Sequence, residues 1–376
     1  MDLFKFSDEF GPAKIIHVYE PSVGLKGILV VDNVAMGPSI GGVRIAPDVS
    51  VEECFRLARA MTFKNAAAGL SHGGGKMVIF GDPKMPKEQK ERLMRAAAAA
   101  LRNEVDYIFG PDMGTNEECM AWVRDENGRS VGLPREIGGI PLDEIGATGW
   151  GVRHAAEVAL GFMNIELKHA TVAIQGFGSV GKHAARFLAE QGAKIIAAND
   201  TQGTIFNQDG LDIGALFKLK DEGKSVIDHA GGRALRRDDI IDIECDIWIP
   251  AARPDVISED NAHRLKTRLV VQGANIPITL GAEKLLHERG VVIIPDFIAN
   301  AGGVICAARE YHGATTASAL QAIEEKIRHN TQQVLEISRT ENILPRAAAI
   351  ELASERIRKA MSFRRWSLFS SAPKFI

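Results

Sequence analysis

The spacing of apolar positions switches repeatedly along the chain, from every second residue to every third or fourth and back. In the first third, "GILVVDNV" from Gly27, "GGVRI" from Gly41, "KMVIF" from Lys76 and "DYIFG" from Asp106 read as strands. "VEECFRLARAMTFKNAA" from Val51 and "KEQKERLMRAAAAALRN" from Lys87 read as helices between them. Ser50 and Glu53 have the spacing of a capping box, so the first helix starts at Val51. Along it Cys54, Leu57 and Met61 form an apolar stripe, and the next step of three lands on Lys64. An isolated lysine in that place ordinarily snorkels to solvent past the helix end.

The passage "GLPREIGGIPLDEI" from Gly132 to Ile145 has no periodicity and reads as a hinge. After it come a helix, "GWGVRHAAEVALGFM", and then a strand, a glycine turn, a helix and a strand within "ATVAIQGFGSVGKHAARFLAEQGAKIIAAND". Further apolar runs at "CDIWIPA", "RLVVQGAN" and "GVVIIPD", with helical segments between them, predict a doubly wound parallel sheet. The last part, from Ala317, is helical by periodicity and is expected to fold back over the domain boundary. The chain thus reads as α/β with two domains: an N-terminal α/β substrate domain over 1–140, a Rossmann-type dinucleotide-binding domain over 141–325, and C-terminal helices over 326–376. The closing "FRRWSLFSSAPKFI" is expected to pack on its own or a neighbouring subunit.

Bulk composition narrows the function. A formal net charge of -3 over 376 residues gives no field for holding a polyanion, so nucleic-acid binding is disfavoured. No long apolar run suggests a membrane span, and "MDLFKFSDEF" lacks the layout of a signal peptide, so a cytoplasmic protein is expected. Cys54, Cys119, Cys245 and Cys306 are scattered, and the histidines show no ligand spacing, which disfavours a disulfide framework and a metal site.

Gly176, Gly178 and Gly181 form G-x-G-x-x-G, a weak signal alone. Here it follows the strand "TVAI", opens an amphipathic helix and precedes a strand ending in Asp200, 19 residues after Gly181. In that setting the backbone around Ser179 and Val180 can approach a pyrophosphate at a helix N-terminus, and Asp200 can accept hydrogen bonds from the adenosine ribose. Thr201, Gln202 and Gly203 place no cation beside Asp200, so NAD is favoured over NADP unless a basic side chain reaches it from elsewhere.

"MTFKNAAAGLSHGGGK" ends in a lysine, Lys76, after three glycines, but it is not a P-loop: Leu70 occupies the place of the first glycine and Met77 that of the hydroxyl residue. The glycines allow close approach to a ligand or a tight turn into the next strand. Asp112 in "GPDMGTNEE" is equally a turn or capping residue on its own.

Over nearly its full length the chain resembles the glutamate/leucine/phenylalanine/valine dehydrogenase family of amino acid dehydrogenases. The matching stretches, in the family's order, are "GPSIGGVRIAP", "MTFKNAAAGLSHGGGK", "GPDMGT", "ATGWG", "GFGSVG", "GAN" at Gly273 and "NAGGV" at Asn300. The resemblance implies that Lys64 binds the substrate α-carboxylate, that Lys76 is the catalytic lysine and that Asp112 exchanges protons beside the amino group. A lysine desolvated among glycines near a second cation has its pKa pushed down and can serve as acid and base near neutrality. Thr148 and Asn275 match positions near the nicotinamide and its ribose, and Asn300 the turn that contacts cofactor and substrate. A homo-oligomer is also implied.

Glutamate-specific members carry a lysine two residues after the proline of "GP" and a serine seven after the asparagine of "NAGGV". Here those places hold Ile40 and Ala307. With Gly110 and Val304 completing the inferred pocket, an apolar amino acid is expected, leucine or another branched one first, then phenylalanine or tryptophan. The second domain, with "NDTQGTIFNQDGLDI", looks more like the glutamate enzymes, so glutamate dehydrogenase stands as the alternative. A catalytically inactive regulator binding NAD or an amino acid is the rival outside enzymology.

Overall fold

The computed structural model describes residues 4–364, so all but the first two residues of the closing "FRRWSLFSSAPKFI" lie outside the described residues. Two compact units emerge, one from residues up to 142, 304–319 and from 352 onward, the other from 143–303 and 320–351. The first unit begins with strands β1 (Lys14–Glu20), β2 (Leu25–Asn33) and β3 (Ser39–Ala46), helix α1 (Val51–Ala67) and strand β4 (Gly73–Phe80). Helix α2 (Lys87–Ala100), strand β5 (Tyr107–Pro111) and helix α3 (Glu117–Asn127) follow. The sheet has the order β1-β2-β4-β3-β5. β3 runs parallel to β4 and β5, while β2 is antiparallel to β1 and β4.

Because strand side chains alternate between faces, Val43, Ile45, Met77 and Ile79 join one core with Met94 of α2 and Met120 of α3. Ala46 and Val78 face the other way, against Cys54 and Ala58 of α1. That parity puts Gly42, Arg44 and Lys76 on the α1 face of the sheet. The edge strand β1 and helix α3 were not anticipated. β1 is half-buried without clean alternation, and the start of α3 is masked by the turn residues before Asn116, whose side chain caps it by accepting from the Cys119 backbone N–H.

Two local expectations about α1 change. Ser50 does cap the helix, accepting from the Glu53 N–H at 3.1 Å, but the Glu53 carboxylate turns to Arg44 at 2.7 Å, so the capping box is only half made. The fully buried stripe is Cys54, Ala58, Thr62 and Asn65, whereas Leu57, Met61 and Lys64 lie half-buried on an adjacent line. Small residues win the sheet-facing line because the helix sits unusually close. A Cβ on Gly74 would fall 2.0 Å from the Thr62 nitrogen. The three glycines before Lys76 are therefore strand residues, and Gly74 is the one that admits the helix backbone.

The second unit contains helices α4 (Leu142–Ile145) and α5 (Ala147–Phe162), then β6 (Thr171–Gln175), α6 (Ser179–Ala189), β7 (Lys194–Asn199), β8 (Thr204–Phe206) and α7 (Ile213–Asp221). β9 (Arg233–Leu235), β10 (Cys245–Pro250), β11 (Thr267–Val271), α8 (Leu280–Glu288), β12 (Val292–Ile294) and α9 (Asp296–Ala299) complete it. The sheet order is β12-β11-β10-β6-β7-β8-β9. From β12 to β7 it is parallel, and the chain reverses its direction of winding between β6 and β10, the switch point of a doubly wound fold. β8 and β9 add an antiparallel edge. At three residues each they are too short to leave a periodicity in the sequence.

Helices α10 (Gly302–Tyr311), α11 (Thr316–Glu341) and α12 (Pro345–Phe363) end the described chain. Within the first unit, Arg356 of α12 donates to the carbonyls of Ala66 and Ala67 at 3.2 and 2.6 Å, satisfying acceptors left over at the C-terminus of α1. All four cysteines are free and buried. Among the described residues no helix is long and apolar enough to cross a membrane.

Candidate functional site

The predicted polar residues gather in two groups, one in each unit. In the first, Lys76 on β4 and Asp112 just past β5 lie on strands that flank β3, and the Lys76 Nζ stands 2.8 Å from Asp112 Oδ2. Gly42 of β3 lies between them: a Cβ there would come within 2.7 Å of Asp112 Cβ and 3.3 Å of Lys76 Nζ. Asp112 is held by its own backbone, whose N–H donates to Thr115 Oγ1 at 2.9 Å while its carbonyl accepts from the Thr115 N–H. Since Asn116 caps α3, the carboxylate of Asp112 is not a helix cap. Burial alone would raise its pKa, but the Lys76 ammonium and the Arg44 guanidinium, 2.9 Å away, hold it below the ordinary carboxylate value.

Lys64 sits half-buried in the last turn of α1. Ile40 on β3 is 4% exposed, paired in the sheet with Gly74 and Ile108. Gly110 on β5 pairs with Gly42, and a Cβ added there would make only ordinary contacts, 3.5 Å to Val131 Cγ2 and 3.6 Å to the Gly41 carbonyl. Val304 and Ala307, three apart on α10, belong to the same unit, half-buried and buried respectively.

In the second unit the three glycines have different reasons. Gly176 has φ +94° and a Cβ there would strike Ala252, while a Cβ on Gly181 would lie 1.9 Å from the Gly176 carbonyl oxygen. Those two build the turn and bring strand and helix together. Around Gly178 a Cβ would meet nothing within 4 Å. It is exposed, with Ser179 and Val180 opening α6 beside it, so the open space lies where first-turn N–H groups can receive a phosphate. Asn199 anchors the loop: its Oδ1 accepts from the Gly176 N–H at 2.7 Å and its carbonyl from the Phe177 N–H at 2.8 Å.

Asp200 follows β7 as expected, but its carboxylate is already engaged. It accepts from Lys220 Nζ at 2.9 Å, Ser225 Oγ at 2.8 Å, and the N–H groups of Val226 and Gln202 at 3.0 Å each. Burial works to raise its pKa and these donors more than offset it, so the group is held below its ordinary value. No cation neighbours Asp200 in the sequence, yet Lys220 reaches it in space.

Asn275 and Asn300 also meet, and Thr148 lies beside Gly303. Asn300 Nδ2 donates to Asn275 Oδ1 at 2.9 Å, and Thr148 Oγ1 lies 3.3 Å from where a Gly303 Cβ would stand. Asn300 is 4% exposed, and its Oδ1 has no protein donor among the described residues. A buried amide oxygen left so is costly unless a ligand N–H completes it, and a nicotinamide carboxamide has that group. The open cradle at Gly178 and the orphan at Asn300 fit a dinucleotide.

Residues 138–365 match the model of the Glutamate/Leucine/Phenylalanine/Valine dehydrogenase family, and residues 12–129 match that family's dimerisation domain. The chain belongs to this family. It is an oxidoreductase acting on the CH–NH2 group of amino acids with a nicotinamide cofactor. The chain is 38% identical over 359 residues to the glutamate dehydrogenase of Aeropyrum pernix, covering 89% of this chain and 85% of that one. It is 33% identical over 370 residues to the leucine dehydrogenase of Bacillus subtilis, covering 96% and 95%. The crystal structure of glutamate dehydrogenase from Peptoniphilus asaccharolyticus superimposes with a TM-score of 0.82 at 28% identity, covering 95% and 93%.

Sequence reasoning about this dehydrogenase overlooked Gly42, Arg44, Asn199 and Lys220. Gly42 and Arg44 lie inside "GPSIGGVRIAP", a stretch already noted as a match, and Asn199 immediately precedes Asp200. Lys220, on α7, carries no signal, because only the fold brings it to the end of β7.

Proposed function

We propose that this enzyme oxidatively deaminates an L-amino acid with an apolar side chain, using NAD, to the 2-oxo acid and ammonia. What supports the apolar choice is buried Ile40, where grip on a side-chain carboxylate would need a cation, together with Ala307 in place of a hydroxyl. A carboxylate seated against these two without a partner costs several kcal/mol. Gly110 leaves room for a branched or aromatic side chain, so leucine comes first, then phenylalanine or tryptophan. The glutamate dehydrogenases among the relatives favour glutamate as the second reading.

In the first unit, Lys64 pairs with the substrate α-carboxylate. Asp112 takes a proton from the ammonium so that the nitrogen lone pair is available. A nicotinamide held in the second unit would supply the acceptor for the hydride that leaves Cα. Once its ammonium proton has been released to solvent, Lys76 takes a proton from the water that attacks the iminium carbon. Asp112 returns its proton to the amine, and as the C–N bond breaks the hydroxyl proton of the carbinolamine passes to the departing ammonia, so that ammonium and the 2-oxo acid leave. The two cations hold Asp112 ionised, the charge state from which it can accept a proton. For the cofactor, the negative charge of Asp200 at the end of β7 favours a free ribose over a 2′-phosphate. Lys220 offsets that charge only as its fixed partner. The dimerisation-domain match supports a homo-oligomer, and four free thiols suit the cytoplasm.

The test is the initial rate of NADH formation with leucine, valine, phenylalanine, tryptophan and glutamate in parallel, repeated with NADP. An apolar winner with NAD supports the assignment; glutamate as the winner overturns the pocket, and no activity overturns the reaction. With the winning substrate, Lys76→Ala abolishes turnover and leaves NADH binding, followed by its fluorescence, nearly intact.

A further inference from the structure

The α1 face of the first sheet holds a third polar residue beside Lys76 and Asp112. Arg44 lies two residues after Gly42 on β3, so its side chain emerges on the same face as the Lys76 ammonium. It is 21% exposed, and its guanidinium is shared: Nε donates to Asp112 Oδ2 at 2.9 Å, and the NH1 nitrogen to Glu53 Oε1 at 2.7 Å. Lys76 contacts the same carboxylate atom, Oδ2, at 2.8 Å. Both cations therefore converge on one oxygen of Asp112, and no protein donor occupies the other, Oδ1, among the described residues.

We infer that Arg44, braced by Glu53, is the positioning residue that fixes the Asp112 carboxylate with Oδ2 turned to the protein and Oδ1 presented to the substrate nitrogen. The inference rests on the role given to Asp112 above. With only Lys76 as partner, the carboxylate could rotate about its Cβ–Cγ bond and offer either oxygen. A second donor fixed from the opposite side removes that freedom. The planar guanidinium suits the task because its two edges hold Asp112 and Glu53 at once, a geometry that a lysine ammonium does not reproduce. Glu53 in turn is free for Arg44 because it leaves its capping role to Ser50 alone.

Arg44 also contributes charge. The ionisable groups around Asp112 are Lys76 from β4, Arg44 from β3 with Glu53 of α1 behind it, and Cys54 of α1 and Tyr107 of β5, both buried. Removing Arg44 leaves burial opposed by one cation rather than two, so Asp112 would ionise at higher pH.

The experiment is a set of pH profiles of kcat and kcat/KM for wild type, Arg44→Gln, Arg44→Lys and Glu53→Gln, using whichever of leucine or glutamate is turned over faster with NAD. Arg44→Gln is expected to lower kcat by about 10- to 100-fold with the KM for NAD unchanged, and to move the acidic limb of the kcat profile up by about one pH unit. Arg44→Lys should restore the limb but only part of kcat, and Glu53→Gln, which leaves the guanidinium charged but unbraced, should lower kcat with little movement of the limb. Wild-type kcat and limb in Arg44→Gln overturn the inference, as does a loss of kcat in which the limb stays put. If Arg44→Gln does not fold, wild-type behaviour of Glu53→Gln and Arg44→Lys overturns it equally. Asp112→Asn separates the two levels: wild-type turnover there removes Asp112 from the chemistry, whereas an inactive Asp112→Asn beside an unperturbed Arg44→Gln leaves the reaction standing and removes only Arg44.

Discussion

Lys76 Nζ and Asp112 Oδ2 meet at 2.8 Å across β3, where the intervening residue, Gly42, has no side chain. A methyl group on Gly42 would press on both partners, at 2.7 Å from Asp112 Cβ and 3.3 Å from Lys76 Nζ. Neither can retreat easily, since Asp112 is tied through its backbone to Thr115 and Lys76 is in mid-strand. Gly42→Ala should therefore separate the pair and lower kcat by about 100-fold, the loss that attends roughly 1 Å of misplacement. NADH affinity, set in the other unit, should stay as it was. Unchanged kcat in this variant would mean that the ion pair does not need its present geometry for turnover.

The substrate pocket makes a second prediction. Ile40→Lys introduces the cation that a side-chain carboxylate lacks, and should raise kcat/KM for glutamate relative to leucine. Since Ile40 is only 4% exposed, an uncompensated ammonium there also costs stability, and a lower melting temperature without glutamate is expected to recover in part when glutamate is added. Steady-state rates and thermal shifts with both substrates check this. No change in the ratio would show that the side chain of the substrate lies elsewhere.

Much of this was legible in the sequence, for physical reasons that differ by residue. The glycine fingerprint could be read because a positive φ at Gly176 and close packing at Gly181 each leave only glycine, whereas at Gly178 the protein itself leaves open space. The α/β order followed from periodicity, except at β8 and β9, which are too short to show one, at β1, which does not alternate cleanly, and at α3, whose start is masked by turn residues. The inward line of α1 was misjudged because large apolar residues were assumed to face the sheet. Gly74 of β4 lets the helix come so close that only small and polar residues fit there. Lys220 was out of reach for another reason: its partner, Asp200, is distant along the chain, and nothing in the sequence marks a cation by the carboxylate it will meet.

Asp200 and Lys220 make the third prediction. The carboxylate restrains Lys220, 2.9 Å away, and on the proposed NAD assignment it would also repel a 2′-phosphate. Asp200→Ser removes the negative charge and frees Lys220 at the same time. The ratio of kcat/KM for NADP to that for NAD should rise by about 10- to 100-fold, corresponding to roughly 1–3 kcal/mol for one new charge-assisted hydrogen bond to the phosphate. Lys220→Met added to Asp200→Ser should remove most of that rise. If the double variant uses NADP as well as the single one, Lys220 is not the group that meets the phosphate.

His72 makes the last prediction, about stability. Its ring is 2% exposed, with Nδ1 at 3.1 Å from the Pro38 carbonyl and Nε2 at 3.1 Å from His312 Nε2. The Pro38 carbonyl requires a donor, which places a proton on Nδ1, and in the neutral ring Nε2 then accepts from His312 Nε2–H. Burial opposes a second proton on His72 and pushes its pKa down from 6.5 to about 4. The unfolded chain therefore takes up this proton near pH 6.5, and the folded chain only near pH 4. The stability that neutral His72 preserves is complete above pH 6.5, falls as the pH drops from there to about 4, and changes no further below. Between pH 7 and 4.5 the loss should reach about 2–3 kcal/mol. Urea unfolding of wild type and His72→Gln across this range measures it: the variant should lose less stability on acidification by about that amount, whereas parallel curves would assign the acid sensitivity to other groups.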